Sequence, residues 1–279
     1  MDKEFWVSLA KNDYKIPQEH TLENLTEMLF SYLSSTDPEL RDDIAYIVYA
    51  NWLKRELFSA QAVKSHVDEL LSNLDKGIGE TESDTVFLRA FSILLLAEIV
   101  HNDNKKPVLD KDQVKKILEK GIWYMGAEKD PRGHIPAKGW AHALAHTADL
   151  MLVLARNRYI DGGDLWSMLA TIAYKMVHSI NYVYIHGEDE RLASAVIEIL
   201  RRDLVSPNQL EAWADSLAHP DGTDWKGALA EEDRNHAFQN TRNLLRSIYF
   251  ALLKEPEEFP DREQHIRLVL KTLSDLKPY

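Results

Sequence analysis

The chain has 279 residues, of which 45% are hydrophobic and 28% are charged, and its formal net charge at pH 7 is -12. This composition is typical of a soluble globular protein with a sizeable core, and the negative charge disfavours binding to nucleic acid or to anionic membranes. The absence of cysteine excludes disulfides, thiolate nucleophiles and cysteine-ligated metal sites, and it agrees with a cytoplasmic location.

No segment of the sequence predicts export or membrane insertion. The opening stretch MDKEFWVSLAKNDYK has acidic residues and lacks the long apolar core of a signal peptide. The most apolar run, AFSILLLAEIV, is interrupted at Glu98 and is too short to span a bilayer. We therefore expect no membrane and no nucleic acid among the partners.

Apolar residues recur at three- and four-residue spacing through almost the whole chain, whereas sustained two-residue alternation occurs nowhere. The stretch INYVYI, residues 180–185, resembles a strand, but we expect it to extend a helix or to form a short bend. The start signals predict about ten to twelve helices. In chain order they are Thr21, Asp37–Pro38, Ser59, Asp84, Asp110, Gly163–Asp164, Ser206–Pro207 and Asp261.

The predicted helices are spaced like stacked hairpins. Helix pairs begin near residues 21, 59, 110, 164 and 207, a spacing of roughly forty to fifty residues that is typical of HEAT or armadillo units. The segment TVFLRAFSILLLAEIV is apolar nearly all round, as the middle layers of a solenoid should be. We predict an all-α superhelix in which residues 1–279 form a single domain, with an ordinary helical bundle as the alternative.

The longest predicted connection, residues 126–139, is rich in glycine and proline and leads into the segment GWAHALAHTADL. If this segment is helical from its start, Trp140 lies on one face and His142, His146 and Asp149 lie on the opposite face. Two histidines four residues apart can chelate one metal ion, and Asp149 could orient the His146 ring. Metal ligation, a polar pocket without metal and simple surface polarity all remain open.

Three consecutive acids follow a glycine in the segment HGEDERLA. Glu188, Asp189 and Glu190 are expected in the first turn of a helix, where carboxylates interact favourably with the helix dipole. Asp189 projects toward the apolar side and therefore needs a partner. His186 and Arg191 are the nearest candidates.

A polar stripe marks the helix near residue 240. His236, Asn240, Asn243 and Ser247 share one face, although asparagine is a poor residue for a helix interior. A wall of hydrogen-bonding groups explains this choice better than solvated asparagines do.

Arg41 and Arg89 each lie among apolar residues of a predicted helix. Each guanidinium is expected to meet a carboxylate or to extend past the edge of the apolar face into solvent, and each arginine fits a structural ion pair as well as a ligand contact.

Five segments together resemble an uncharacterised bacterial family known as a domain of unknown function. They are LRDDIAY, LRAFSILLL, DPRGHIPAKGWAHALAHTADL, HGEDERLA and NTRNLLRSIYFAL. The resemblance implies an all-helical, armadillo-like fold over nearly the whole chain, and it implies no established activity.

Three functions fit these observations. The first is the binding of a small polar ligand or a protein partner on a concave surface. The second is a metal-assisted hydrolase, in which His142 and His146 hold a divalent metal ion or act as acid and base and Asp189 or Glu190 supplies a carboxylate. A zincin protease is excluded, because Ala143 stands where H-E-x-x-H requires glutamate. The third is a purely structural helical domain.

The predicted ligand-binding residues are Arg132, Trp140, His142, His146, Asp149, His186, Glu188, Asp189, Arg191, His236, Asn240 and Asn243.

Overall fold

The computed structural model describes residues 1–178 and 181–279, and this part of the chain contains twelve α-helices and one short β-hairpin. The prediction of an all-α fold with about ten to twelve helices is confirmed. The helices are α1 (Lys3–Lys11), α2 (Leu22–Tyr32), α3 (Ile47–Lys54), α4 (Ala60–Asn73), α5 (Thr85–Lys105), α6 (Lys111–Ala127), α7 (Ala143–Ala155), α8 (Gly162–Val177), α9 (Glu188–Arg201), α10 (Pro207–Ala218), α11 (Glu232–Lys254) and α12 (Arg262–Asp275).

Three shorter helical pieces and two strands complete the described elements. A π-helix at Glu39–Tyr46 leads directly into α3, and 3₁₀ turns at Pro220–Gly222 and Ala228–Ala230 precede α11. Strands β1 (His134–Ile135) and β2 (Gly139–Trp140) pair antiparallel within the long connection between α6 and α7.

Side-chain caps explain where many of the helices begin. Thr21 and Ser59 accept hydrogen bonds from backbone N–H groups in the first turns of α2 and α4. Asp110 and Ser206 form reciprocal capping boxes with the glutamines three residues later. The predicted starts at these four positions are confirmed.

Two other predicted starts differ in detail. Helix α8 begins at Gly162, because Asp161 caps it and forms a capping box with Asp164. Asp84 precedes α5 as predicted, but its carboxylate binds the Lys138 ammonium at 2.7 Å.

From α3 onward, alternate helices form two packed layers. Helices α3, α5, α7, α9 and α11, here called the odd layer, lie side by side in chain order. Helices α4, α6, α8, α10 and α12, the even layer, do the same. One connected cluster of buried side chains extends from α1 to beyond α12.

Helix α5 lies in the middle of this core. By length and composition alone it could cross a membrane, since its most apolar 18-residue window has a mean hydropathy of 1.4. However, 67% of that window is buried inside the protein, and the helix also buries Arg89 and Asp103. These properties are typical of a central core helix.

The strand-like stretch does not continue α8, which ends at Val177. Residues 181–185 have irregular backbone with a bend at Asn181, so of the two predicted alternatives the extension of a helix is wrong there and the short bend is confirmed. Ile180, the first residue of the predicted stretch, lies outside the described residues.

Candidate functional site

The long connection before α7 is ordered by its own backbone hydrogen bonds. The N–H of Ala141 donates to the carbonyl of Gly133 at 2.8 Å, and the N–H of His142 donates to that of Arg132 at 3.1 Å. Helix α7 therefore begins only at Ala143, after a left-handed residue at His142 (φ 51°). The prediction that Trp140 and His142 belong to this helix is wrong, because the hairpin pairing occupies their backbone.

His142 is a buried, neutral histidine. Its ring stacks on Trp140, with the ring centroids 4.4 Å apart and the planes at 21°. Its Nε2 lies 3.1 Å from the carbonyl oxygen of His186 and 3.7 Å from Oε1 of Glu188. Burial, helped by the positive charge of Arg191, lowers the pKa of His142 to about 4. We infer that Nε2–H donates to the His186 carbonyl.

His146 is buried one turn further along α7. Its Nδ1 lies 2.9 Å from the carbonyl oxygen of Ala90, and its ring meets Phe91 edge-on. Burial lowers the pKa of His146 to about 3. The predicted orientation of this ring by Asp149 is wrong, because Asp149 pairs instead with Arg191 at 2.5 Å.

Among the described residues, the two histidines have no third metal ligand. Within residues 1–178 and 181–279, no group of three or more histidine, aspartate or glutamate side chains is placed to hold a metal ion. The rings of His142 and His146 are 5.9 Å apart, and each already has a nitrogen engaged by a backbone carbonyl. Zinc sites in proteins use three or four protein ligands. As arranged, this pair falls short of such a site.

Glu188 is the first residue of α9, and only 1% of its surface is exposed. Its Oε2 accepts a hydrogen bond from the backbone N–H of His186 at 2.7 Å. Its Oε1 and the Nδ1 of His186 are buried and have no hydrogen-bond partner in the described part of the chain. Burial raises the pKa of the Glu188 carboxyl. We call Trp140, His142, His186 and Glu188 the His–Glu cluster.

Gly133 allows the hairpin to approach this cluster. A Cβ at this position would lie 2.3 Å from Nδ1 of His186, so any side chain would displace that ring. The sequence showed a glycine-rich loop, but it did not show which glycine this close contact requires.

A row of polar side chains crosses the odd layer beside the cluster. The hydroxyl of Tyr46 donates to Glu98 at 2.8 Å, which joins the end of the π-helix to α5. Asp149 and Arg191 join α7 to α9, and their charges act on the ionisation of Tyr46. Burial raises the pKa of Asp149, and Arg191 opposes that effect. We call these four residues the polar row.

Sequence reasoning missed two members of the polar row. Glu98 was recognised only as an interruption of an apolar run, and Tyr46 was not selected. A lone carboxylate within a buried helix was the available signal, since such a group needs a partner.

Helix α11 contacts the same turn from the other side. Buried Asn240 accepts a hydrogen bond from the N–H of Tyr184 and donates one to the carbonyl of Tyr182, both at 2.9 Å. Asp189 accepts a hydrogen bond from the Ser247 hydroxyl at 2.6 Å. The predicted pairing of Asp189 with His186 or Arg191 is therefore wrong. Asn240 holds the backbone of the turn.

The other two predicted ligand-binding residues of the α11 stripe are less buried than Asn240. His236 and Asn243 are half-buried on α11. The Nδ1 atom of His236 is buried and has no hydrogen-bond partner among the residues that the structure describes.

The arginines selected from the sequence are held within the fold. Arg41 is fully buried, donates to the carbonyl of Lys138 at 2.8 Å and lies 4.1 Å from the centre of the Phe87 ring. It also meets the neighbouring carboxylate of the π-helix at 2.8 Å, as predicted. Arg89 pairs with a buried glutamate at the end of α6. Arg132, predicted as a ligand contact, pairs with the aspartate two residues before it.

The three polar segments selected from the sequence, residues 132–149, 186–191 and 236–247, therefore contact one another through residues 182–191. The hairpin reaches this turn at His142 and His186, and α11 reaches it at Asn240 and Ser247. The fold is that of an all-helical protein with a buried histidine–carboxylate cluster beside an exposed tryptophan. The family model described as "Protein of unknown function (DUF2785)" matches residues 74–250, more than half of the chain, so the chain belongs to this family. Comparisons with curated proteins and with solved structures found no match.

Proposed function

We propose that this protein binds a small organic cation, such as an amine, at the His–Glu cluster. The observation that carries the proposal is the buried Oε1 of Glu188, which lacks a hydrogen-bond donor among the described residues. Leaving a buried charged group unpaired costs more than leaving a neutral one, so such an atom calls for a donor. A ligand ammonium or guanidinium group would supply one after the side chains that cover Glu188 move aside, since only 1% of this residue is exposed.

Trp140 gives the site an aromatic surface for the same ligand. His142 covers one face of the indole, yet 39% of Trp140 remains exposed. A cation over an indole face gains about 0.5 to 2 kcal/mol, depending on how far it is desolvated. The exposed Trp140 contacts His142 and His186, which both lie next to the Glu188 carboxylate, and this arrangement favours a cation over a neutral ligand.

The surrounding charges favour the same choice. The polar row contains Glu98 and Asp149 but only one base, Arg191. The whole chain carries a net charge of -12. Such a field attracts cations and repels anions. The polar row also begins at the end of a π-helix, an element that is frequent at functional sites.

The hydrolase alternative has weaker support. Glu188 and His142 lie close enough to exchange a proton after a small movement, and the pKa of Glu188 is raised. The proposed metal pair, however, lacks a third ligand in the described residues. Of the two carboxylates first considered, Asp189 is bonded to Ser247 and Glu190 is exposed. We therefore favour binding.

We also propose that the two helix layers form an α-α superhelix of the armadillo or HEAT kind, with residues 1–279 as one domain. The side-by-side packing of alternate helices in chain order supports this proposal. A cytoplasmic location is likewise a proposal, supported by the absence of cysteine. A protein partner that presents a lysine or arginine side chain would use the same site.

Isothermal titration calorimetry with spermidine, choline and arginine amide tests the proposal, with acetate and glucose as comparison ligands. At least one cation should bind with one site per chain, and the comparison ligands should not. A bound cation at 100 times its Kd should stabilise the fold by about 2.7 kcal/mol in thermal unfolding. Failure of all three cations to bind would contradict the proposal.

Two pairs of variants locate the site. Trp140→Ala should weaken binding at least tenfold, whereas Trp123→Ala should not, although Trp123 is equally exposed at 40%. Glu188→Gln should weaken binding while Glu190→Gln, an exposed neighbour in the same turn, leaves it unchanged. Equal losses from both members of a pair would place the cation elsewhere.

A further inference from the structure

A cavity lies near the end of α5, whereas His146, whose ring is 5.9 Å from that of His142 in the His–Glu cluster, lies beside the start of this helix. The cavity has a volume of about 560 Å³ and lies where α3 and α5 end and α4 begins. The Nδ1 atom of His146 lies 2.9 Å from the carbonyl oxygen of Ala90, near the start of α5, whereas Asn102 lines this cavity. At 1.5 Å per residue the two positions are roughly 20 Å apart, so the two sites are separate.

The walls of this cavity are largely apolar. Its volume falls within the range of roughly 300–1,000 Å³ that is usual for small-molecule sites. Ile99 comes from α5 and Val63 from α4, while Phe58 and Val108 belong to the adjoining loops. These side chains suit an aliphatic or aromatic body rather than a fully polar ligand.

The rim of the cavity carries unpaired positive charge. Lys54 and Lys105 are exposed and form no salt bridge with any residue in the described ranges 1–178 and 181–279. Lys106 is paired with Glu56. The remaining acid, Asp103, is buried and pairs with an arginine outside the cavity at 2.7 Å. Two lysines are therefore left to attract an anion, in a chain whose overall charge is negative.

Helix dipoles alone do not account for this arrangement. Lys54 and Lys105 lie in the last turns of α3 and α5, where a cation is favourable. Lys11 and Lys254 occupy the same kind of position at the ends of α1 and α11, and neither lines this cavity. Of these four lysines at helix ends, Lys54 and Lys105 are the two that line the apolar cavity.

We propose that this cavity binds a small amphiphilic carboxylate, such as a medium-chain fatty acid. The hydrocarbon body occupies the space lined by Phe58, Val63 and Ile99, and the carboxylate lies between Lys54 and Lys105. This site is independent of the cation site, and its ligand has the opposite charge.

Titration of the full-length protein with decanoate tests the proposal by calorimetry, with decanol as the uncharged comparison. Decanoate should bind one per chain with a negative change in heat capacity, as apolar burial requires. Decanol should bind at least tenfold more weakly. Absence of decanoate binding, or equal binding of both compounds, would overturn the proposal.

Variants of the cavity then test where decanoate binds. Ala60 is exposed and lines the mouth, so Ala60→Trp should block the cavity without disturbing the core, whereas Gln61→Trp at the next exposed position should not. The double variant Lys54→Gln/Lys105→Gln should weaken decanoate binding tenfold or more and leave decanol binding unchanged. The matched double variant Lys11→Gln/Lys254→Gln, which changes two other last-turn lysines, should bind decanoate as the unaltered protein does. Unaltered decanoate binding by Ala60→Trp would refute this location.

Discussion

Asn240→Ala is expected to loosen the turn that carries the His–Glu cluster. The Asn240 amide is buried in α11 and bonds the backbone of Tyr184 and Tyr182 at 2.9 Å each. Alanine removes both partners at once and leaves the buried N–H of Tyr184 without an acceptor. The turn is then held less firmly next to residues 186–188.

The size of the effect follows from these two hydrogen bonds. A buried donor left unsatisfied costs about 1 to 3 kcal/mol, and loss of the second bond adds about 1 kcal/mol. The free energy of unfolding should therefore fall by roughly 2 to 4 kcal/mol. At about 2 to 4 °C per kcal/mol for a chain of this size, Tm should fall by roughly 4 to 16 °C.

Urea unfolding and calorimetry measure both quantities, with Asn243→Ala as the matched control. Asn243 lies on the same face of α11 but is only half-buried, so its replacement should cost less than about 1 kcal/mol. Asn240→Ala should also weaken cation binding, because Glu188 follows directly on the turn. Equal stability of the two variants would refute the assignment of Asn240 as the residue that holds this turn.

Two further predictions concern the fit and the ionisation of the cluster. Gly133→Ala should cost about 1 to 3 kcal/mol, because its Cβ would lie 2.3 Å from Nδ1 of His186. Gly126→Ala, which meets no atom within 4 Å in α6, should be neutral or stabilise by about 1 kcal/mol, and thermal unfolding compares the two. The burial that lowers the pKa of His146 to about 3 makes stability depend on pH. Below pH 6.5 the His146 ring is protonated in the unfolded state but stays neutral in the folded state. The free energy of unfolding therefore decreases as the pH falls from 6.5 toward 3. His146→Gln should flatten the fall in unfolding free energy measured between pH 6.5 and 4.5, and an unchanged slope would contradict the buried, neutral assignment.

The comparison of sequence with structure separates local from long-range information. Start signals such as Ser59 and Ser206 were sufficient to place helices, because a cap acts on backbone groups within three residues. The histidine segment was misread for the opposite reason. His142 was assigned to α7 by spacing alone, but a hairpin beginning eight residues earlier occupies its backbone.

Partner choice among the polar residues could not be read from neighbouring positions. Asp189 was assigned to its nearest basic neighbours, yet it bonds Ser247 on α11. Asp149 was assigned to His146, yet it pairs with Arg191 on the next helix of the odd layer. Each observed partner lies more than forty residues away along the chain. Only the packing of the helices decides such pairs.

The amino-acid sequence by itself determined that this chain is helical, where most of its helices begin, and which polar residues were worth examining. These properties depend on periodicity and capping, which act over a few residues. The tertiary structure decided that His142 and His146 are buried and neutral, and that an oxygen of Glu188 is left without a donor beside Trp140. Burial and pairing depend on which surfaces the helix layers bring together, and that is a property of the whole fold.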